Sequence, residues 1–420
     1  MNDQHAEYRR NFACLVCDWV CFVTGMAFIS YTSVIPSFIN ELTDFAPLIG
    51  LAATIPNGVW LLPQIIAANY VGSKERKKPW VITLALIARP AYLVLGIVTL
   101  IVGTRSPWLL LVVFFVVETM FSSLDGLGTV AWFDILARSI PPEKRGRFYG
   151  TAQALSGLFS VAAGAIVARV LGPGGPPFPQ NYGLVFLSCF ILMMISLVGF
   201  LFLKEPIDNV RREREPWHEY LPRIVQLLRG HVQFRLVNSV RLLSALGGLA
   251  IPFYVIHATD VLGAGSESIG LFVSAQVLGG LIASLAMGYL NEVSGSKIVT
   301  QLTAALGMIT PMLALGIHYL LPPATLAAYA YALVFVLIGA NYAGYMQGFM
   351  NFVLDIAPPG EMPAYIGLYN TLGGTVIFVA PLLGGLVLEN TSYAVLFSAA
   401  IVGTVAGFAL SLRLKEPRRR

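Results

Sequence analysis

The chain has 420 residues, of which 56% are apolar and only 12% charged. A soluble domain carries about twice that share of charge, so a water-bathed globule is excluded and lipid must be the solvent for much of the surface. The net charge of +5 sits in short basic clusters between apolar runs, which argues against nucleic acid as a partner.

No cleavable signal pattern precedes the first apolar run, so that run is expected to stay as a membrane anchor. Runs of about 20 apolar residues predict twelve spans. In the first half they cover 12–40, 46–71, 80–103, 107–137, 147–171 and 182–203. A polar strap, 204–234, follows with Lys204, Arg211, Arg212, Arg214, Arg223 and Arg229, and Arg235 lies just beyond it. Apolar residues between Trp217 and Arg229 suit either a short helix on the membrane surface or a plain solvated linker. The second half gives 235–262, 267–290, 298–320, 325–356, 364–387 and 392–412. The expected domains are therefore 1–203, a cytoplasmic linker 204–234, and 235–420.

Ionisable groups inside a membrane are costly and each needs a reason. Span 1 carries Asp18, near Cys14, Cys17 and Cys21, which read as small apolar residues rather than a metal or redox centre. Arg89 lies on span 3. Span 4 holds Glu118, Ser122, Asp125 and Thr129 at i, i+4, i+7 and i+11, a polar stripe along one face. Glu118, near the midplane, is the first candidate to trade a proton. Asp125 has a depth like that of Arg89, and the two are expected to form a structural pair. Span 7 has Asn238 and Arg241, then Tyr254, His257 and Asp260 around Pro252. Span 10 has Asn341, Tyr345, Asn351 and Asp355 roughly along one face. Such groups suit an uncharged or zwitterionic organic solute, or simply interhelical hydrogen bonding, which for each single residue is the preferred reading.

Charge then predicts orientation. With the N-terminus inside, 23 of the 27 basic residues fall on inner segments, enough bias to put both termini in the cytoplasm. Internal repetition is also present. Gly72-Ser73-Lys74 recurs as Gly295-Ser296-Lys297, 223 residues on, and Ile49-Gly50-Leu51 as Ile269-Gly270-Leu271, 220 on. Pro141-Pro142 recurs 217 on, and Lys204-Glu205-Pro206 recurs as Lys415-Glu416-Pro417, 211 on. Four matches in order indicate a duplicated six-span unit, and six spans per copy make the repeats parallel. The fold class expected is an all-α membrane protein of twelve helices in two parallel six-helix repeats.

The turn between spans 8 and 9 reads Gly288-Tyr289-Leu290-Asn291-Glu292-Val293-Ser294-Gly295-Ser296-Lys297. It resembles the signature loop of the major facilitator superfamily, with Glu292 at the acidic position. The equivalent first-half turn keeps Gly72 and Lys74 but has Ile65 and Asn69 where the glycine and acid would stand. The stretch Ala380-Pro381-Leu382-Leu383-Gly384-Gly385 is similar to an antiporter motif but lies on span 11, not span 5, so close packing is the reading preferred there.

The resemblance implies a secondary transporter of a small organic solute, working by alternating access in the cell membrane. Spans 1, 4, 7 and 10 would line its path, so Asp18 and Arg241, at nearly equal depth in repeat-equivalent regions, are expected to meet across it. Gly72, Lys74, Gly288, Glu292, Gly295 and Lys297 would form the gating loop. Asp134 and Asp355 would close the inner side with Arg138, Arg145 or Arg147. Protons are the expected coupling ion, with an ion-independent facilitator, a lipid or amphiphile translocator, and a non-transporting receptor on the same fold left open. No ATPase, zinc or nucleophile motif is present, so no enzyme activity, cofactor or metal is expected, and a monomer in the bilayer is.

Overall fold

The computed structural model describes residues 2–71, 75–206, 228, 230–320, 325–357 and 362–417. Gly72, Lys74 and almost all of 217–229 lie outside the described residues. Among those described the chain is helical, with no strand. In lipid every backbone N–H and C=O must be satisfied within the segment, and a helix does this. Among the described residues eleven helices are long and apolar enough to cross a membrane, and Ala46–Val71, with its shorter apolar part Ala46–Leu61, supplies a twelfth span. This is an integral membrane protein.

Two first-half spans expected to be continuous are broken. Span 1 is Asn2–Phe28, then a bend, then the short helix Val34–Asn40. At the bend the hydroxyls of Ser30, Thr32 and Ser33 bond one another at 2.9 Å, and such residues compete with helical backbone bonding. Span 3 is Lys78–Ala88 and Ala91–Val102, parted at Arg89-Pro90 because proline has no N–H to continue the ladder. Spans 4, 5 and 6 are Pro107–Ser139, Pro142–Leu171 and Gln180–Leu201.

In the second half, spans 7 and 10 are irregular. Span 7 runs Val232–Ser244, a 3₁₀ stretch Ala245–Leu249, Phe253–Ile256, and a π turn His257–Val261. Gly247, Gly248 and Pro252 account for the interruption. Spans 8 and 9 are Ser268–Ser294 and Ser296–Leu320. Span 10 runs Thr325–Gly344, a π turn Tyr345–Met350, and Asn351–Ile356. Spans 11 and 12 are Met362–Asn390 and Tyr393–Ser411.

Packing repeats between the halves. Span 1 packs on spans 5 and 6, span 4 on spans 2 and 3, and span 3 on span 6. Adding six to each number gives the second half: span 7 on spans 11 and 12, span 10 on spans 8 and 9, and span 9 on span 12. The halves meet mainly through span 2 against span 11 and span 5 against span 8, a pair of contacts that the same operation exchanges. Val116, Ile282, Leu285 and Val402 are exposed on the outside of this bundle, an apolar surface that lipid covers.

The repeated Lys-Glu-Pro does the same work twice. Glu205, after span 6, accepts the backbone N–H groups of Lys77 at 2.5 Å and Lys78 at 3.1 Å, at the start of span 3. Glu416, after span 12, accepts the N–H of Lys297 at 3.1 Å, at the start of span 9. Each carboxylate thus faces the positive end of a helix dipole and ties the last span of its half to the third. At the signature loop it is therefore Glu416, not Glu292, that faces a helix terminus. Glu292 is exposed, whereas Glu416 lies over the turn at Gly295, whose φ of +88° favours glycine. Gly288 sits inside the helix with open space around it, so it is not needed for the turn.

Candidate functional site

Asp18 is 3% exposed and fully partnered. It accepts from Trp132 Nε1 at 2.7 Å, from the Ser196 hydroxyl, and from Arg89 Nη2 at 3.4 Å. Arg89 Nη1 also donates to the Met193 carbonyl at 2.7 Å. The break at Pro90 frees the backbone here, and Arg89 reaches inward to bridge spans 1, 3 and 6. Two expectations are corrected together. Asp18 does not meet Arg241, and Asp125 does not pair with Arg89. Asp125 instead accepts from Trp60 Nε1 at 2.9 Å, where Gly126 lets span 4 lie against the Trp60 carbonyl. Facing direction, not depth along the helix, chose the partner of each group.

Glu118 is completely buried and accepts three hydroxyls: Tyr31 at 2.7 Å, Tyr92 at 2.9 Å and Ser122 at 3.0 Å. Tyr31 and Tyr92 also touch each other, at 3.0 Å. No cation partners Glu118 among the described residues. Next to Tyr31, Thr32 donates to Gln276 of span 8 at 2.5 Å, a bond that crosses between the halves. Tyr31, Thr32, Tyr92 and Gln276 were not singled out from sequence, because lone tyrosines and threonines in apolar runs carry no signal of their own.

In the second half Arg241 is 6% exposed, with its guanidinium carbon 4.0 Å from the Tyr369 ring centre and 4.6 Å from that of Tyr345. Nη1 donates to the Tyr369 carbonyl at 2.5 Å. Gly373 of span 11 makes room for the group, since a Cβ there would stand 2.0 Å from the guanidinium carbon. Among the described residues no carboxylate lies within ion-pair reach of Arg241. Tyr345 reaches Asn370 at 3.3 Å. The three candidate asparagines bond carbonyls: Asn238 to Phe234, Asn351 to Gln347, each on its own helix, and Asn341 to Thr303 of span 9. That is the plain interhelical role at Asn341, and a local one at the other two.

The end of the bundle away from the strap is sealed. A Cβ on Gly270 would stand 2.2 Å from the Ala168 nitrogen, and one on Gly50 2.2 Å from the Pro381 carbonyl, so spans 5 and 8, and 2 and 11, touch backbone to backbone. Gly384 and Gly385 make the same kind of contact with Leu249 and Ala46, which explains the glycine-rich stretch on span 11. Asn40 donates to Asp260 at 2.9 Å, and the Ala46 N–H to Glu389 at 3.2 Å, both across the halves. Outside the seal a cleft of about 280 Å³ is lined by Asn40, Asp44, Asp260, Glu389 and Tyr393 among others. Glu41 has a carboxyl held above the ordinary glutamate range, by partial burial first and then by the Asp260 carboxylate. His257 is held by Tyr331 at 2.7 Å and His318 at 2.9 Å.

At the strap end Asp134 is bound by Lys77 and Arg138, a cluster within the first half. Asp355 accepts from Ser296 at 2.6 Å. Asn291, beside the exposed Glu292, donates to the Gln347 carbonyl on span 10 at 2.7 Å.

The model of the Major Facilitator Superfamily matches residues 237–420. No curated protein sequence matches the chain. A bacterial homologue of the iron transporter ferroportin, in its inward-facing state, superposes with a TM-score of 0.70 at 16% identity, over 98% of this chain and 99% of that one. The outward-facing state of such a bacterial homologue scores 0.60 at 16% identity, over 96% and 98%. The nucleoside transporter NupG scores 0.66 at 13% identity, over 97% and 99%. At these identities the likeness is one of fold.

Proposed function

We propose that the chain, whose residues 237–420 match the Major Facilitator Superfamily model, is a secondary transporter of that superfamily moving a small organic solute by alternating access, with proton coupling through Glu118. The sealed end is taken as the outer one, because the basic residues concentrate at the other. The state described is then closed outside. The higher TM-score against the inward-facing relative than against the outward-facing one agrees with this reading. The two halves are the bodies that rock, and the glycine contacts at Gly50, Gly164 and Gly270 are the faces that part when the outside opens.

The observation that carries the coupling is the Glu118 cluster. An ionised carboxylate can accept all three of its hydroxyls, whereas a protonated one donates its own hydrogen to one of those oxygens, and that hydroxyl must turn its hydrogen elsewhere. The donor best placed to respond is Tyr31, which sits on the bend of span 1 beside Thr32 and its cross-half bond to Gln276. Proton loading of Glu118 is thereby linked to the outer seal through two adjacent residues.

The test uses purified protein in liposomes enclosing a pH dye, challenged with labelled sugars, amino acids, nucleosides and organic acids. A transported solute should move protons with it in the wild type, and Glu118→Gln should uncouple the two. Solute movement without any pH change would make the protein a facilitator. Binding without accumulation would make it a receptor. The same vesicles test orientation, since tags on both termini should be reached by protease on the cytoplasmic face alone.

A further inference from the structure

The geometry points to the Arg241 cage as the solute's anchor, recognising a carboxylate on a small organic anion. This rests on the transport reading and adds the charge of the cargo. Three observations carry it. First, Arg241 is a buried cation on a membrane span with no opposite charge beside it among the described residues. A cation in hydrocarbon is kept where it pairs or works. Its expected partner, Asp18, is committed to Arg89. Second, the site is built rather than accidental. Two tyrosine faces hold the guanidinium, their rings near parallel at 15°, and Gly373 is small where it must be. Third, two polar atoms of this region are buried with nothing to bond: Arg241 Nε, and Asn238 Oδ1 one turn away on the same helix. Native interiors leave few such groups, and two on one helix face beside an unneutralised cation call for a partner.

The rings stabilise the guanidinium without neutralising it, so its charge is still available to an anion. A planar carboxylate suits a planar guanidinium by paired hydrogen bonds. The Tyr369 hydroxyl can donate to the same anion, and Asn238 Oδ1 can accept from a hydroxyl or amine on the solute. Tyr345, the first residue of the π turn on span 10, forms one wall of the cage. Occupation therefore bears on spans 7, 10 and 11 together, which include the two irregular spans of the second half.

The experiment is a thermal-shift series on the full-length protein in phosphatidylcholine nanodiscs. Benzoate, succinate and glutamate are each compared with their neutral amides, and inorganic phosphate is run alongside. At least one carboxylate should raise the melting temperature while its amide does not. Arg241→Gln should weaken that response by about tenfold or more, the scale of a lost hydrogen bond to a charged group. Arg241→Lys should keep part of it, and Gly373→Ala, which displaces the guanidinium but retains its charge, should weaken it. Arg241→Gln should also melt no lower than the wild type without ligand, which a structural cation would not do. No response to any of the carboxylates, equal response to acid and amide, or full affinity in Arg241→Gln overturns the site. So does a response confined to phosphate or to nanodiscs containing phosphatidylglycerol, which would make this a phosphate headgroup site. Vesicles that accumulate neutral solutes and ignore anions would overturn the anchor and keep transport. Benzoate bound through Arg241 but never moved would keep the anchor and remove transport.

Discussion

Asp18 and Arg241 lie 223 residues apart, close to the offset of the repeat, so they stand in nearly equivalent positions of its two copies. Their surroundings have diverged. Asp18 has an arginine, an indole and a hydroxyl, and its charge is balanced within its own half. Arg241 has two aromatic faces and one carbonyl, and no balancing charge among the described residues. A duplicated fold thus keeps its helix packing while one copy turns a membrane charge into structure and the other keeps it unneutralised. The contrast teaches that burial alone does not say which charged residues work. The set of partners around each one does.

The sharpest way to break that comparison is to remove one member from each site. Arg89→Met should cost about 3–5 kcal/mol of stability, because it strands a buried carboxylate. Thermal unfolding in detergent reads this, and Asp18→Asn added to Arg89→Met should recover much of the loss. Arg241→Met should change stability by no more than about 1–2 kcal/mol, because relief of the cation's burial penalty offsets the missing cation–π attraction. Equal losses at the two positions would mean that Arg241 is structural as well.

A second pair of experiments sharpens the comparison where the two halves meet. Gly270→Leu should prevent closure of the outer seal, because its side chain would meet the backbone of Ala168 and Gly164, which cannot retreat. Overpacking of this kind costs about 1–3 kcal/mol, enough to move the equilibrium toward an outward-open form. Spin-label distances between the outer ends of spans 5 and 8 should lengthen, and transport should fall. Unchanged distances would show that the seal is softer than its glycines imply.

The smallest effect expected is at Glu41. Its carboxyl is raised by burial and by the Asp260 carboxylate of the other half, and the second cause is lost when the halves part, so closure should favour the protonated form. Closure should therefore be tightest at low external pH and loosen as pH rises through the raised value. Glu41→Gln should flatten that dependence in the same distance measurement. A seal that tightens as pH rises would reverse the assignment.

Much of this protein was legible in its sequence, and the reason is the solvent. Lipid forces the backbone into helices of a set length, so apolar runs gave the spans, recurring short motifs gave their duplication, and the basic residues marked the strap and its end of the bundle. The Lys-Glu-Pro repeat was visible too, although its duty as a helix cap was not, because the carboxylate and the N–H groups it meets lie more than 100 residues apart.

What tertiary structure alone decided was pairing. Asp18, Arg89, Asp125 and Arg241 all lie at depths that permit several pairs, and a helix fixes spacing along its axis without fixing its rotation against a neighbour. Packing set those rotations. It turned Arg89 toward Asp18, gave Asp125 the Trp60 indole, and left Arg241 between two rings. Sequence determined which charges enter the membrane. Contacts between helices, each contributing a residue with no local signal, determined which of them are satisfied there.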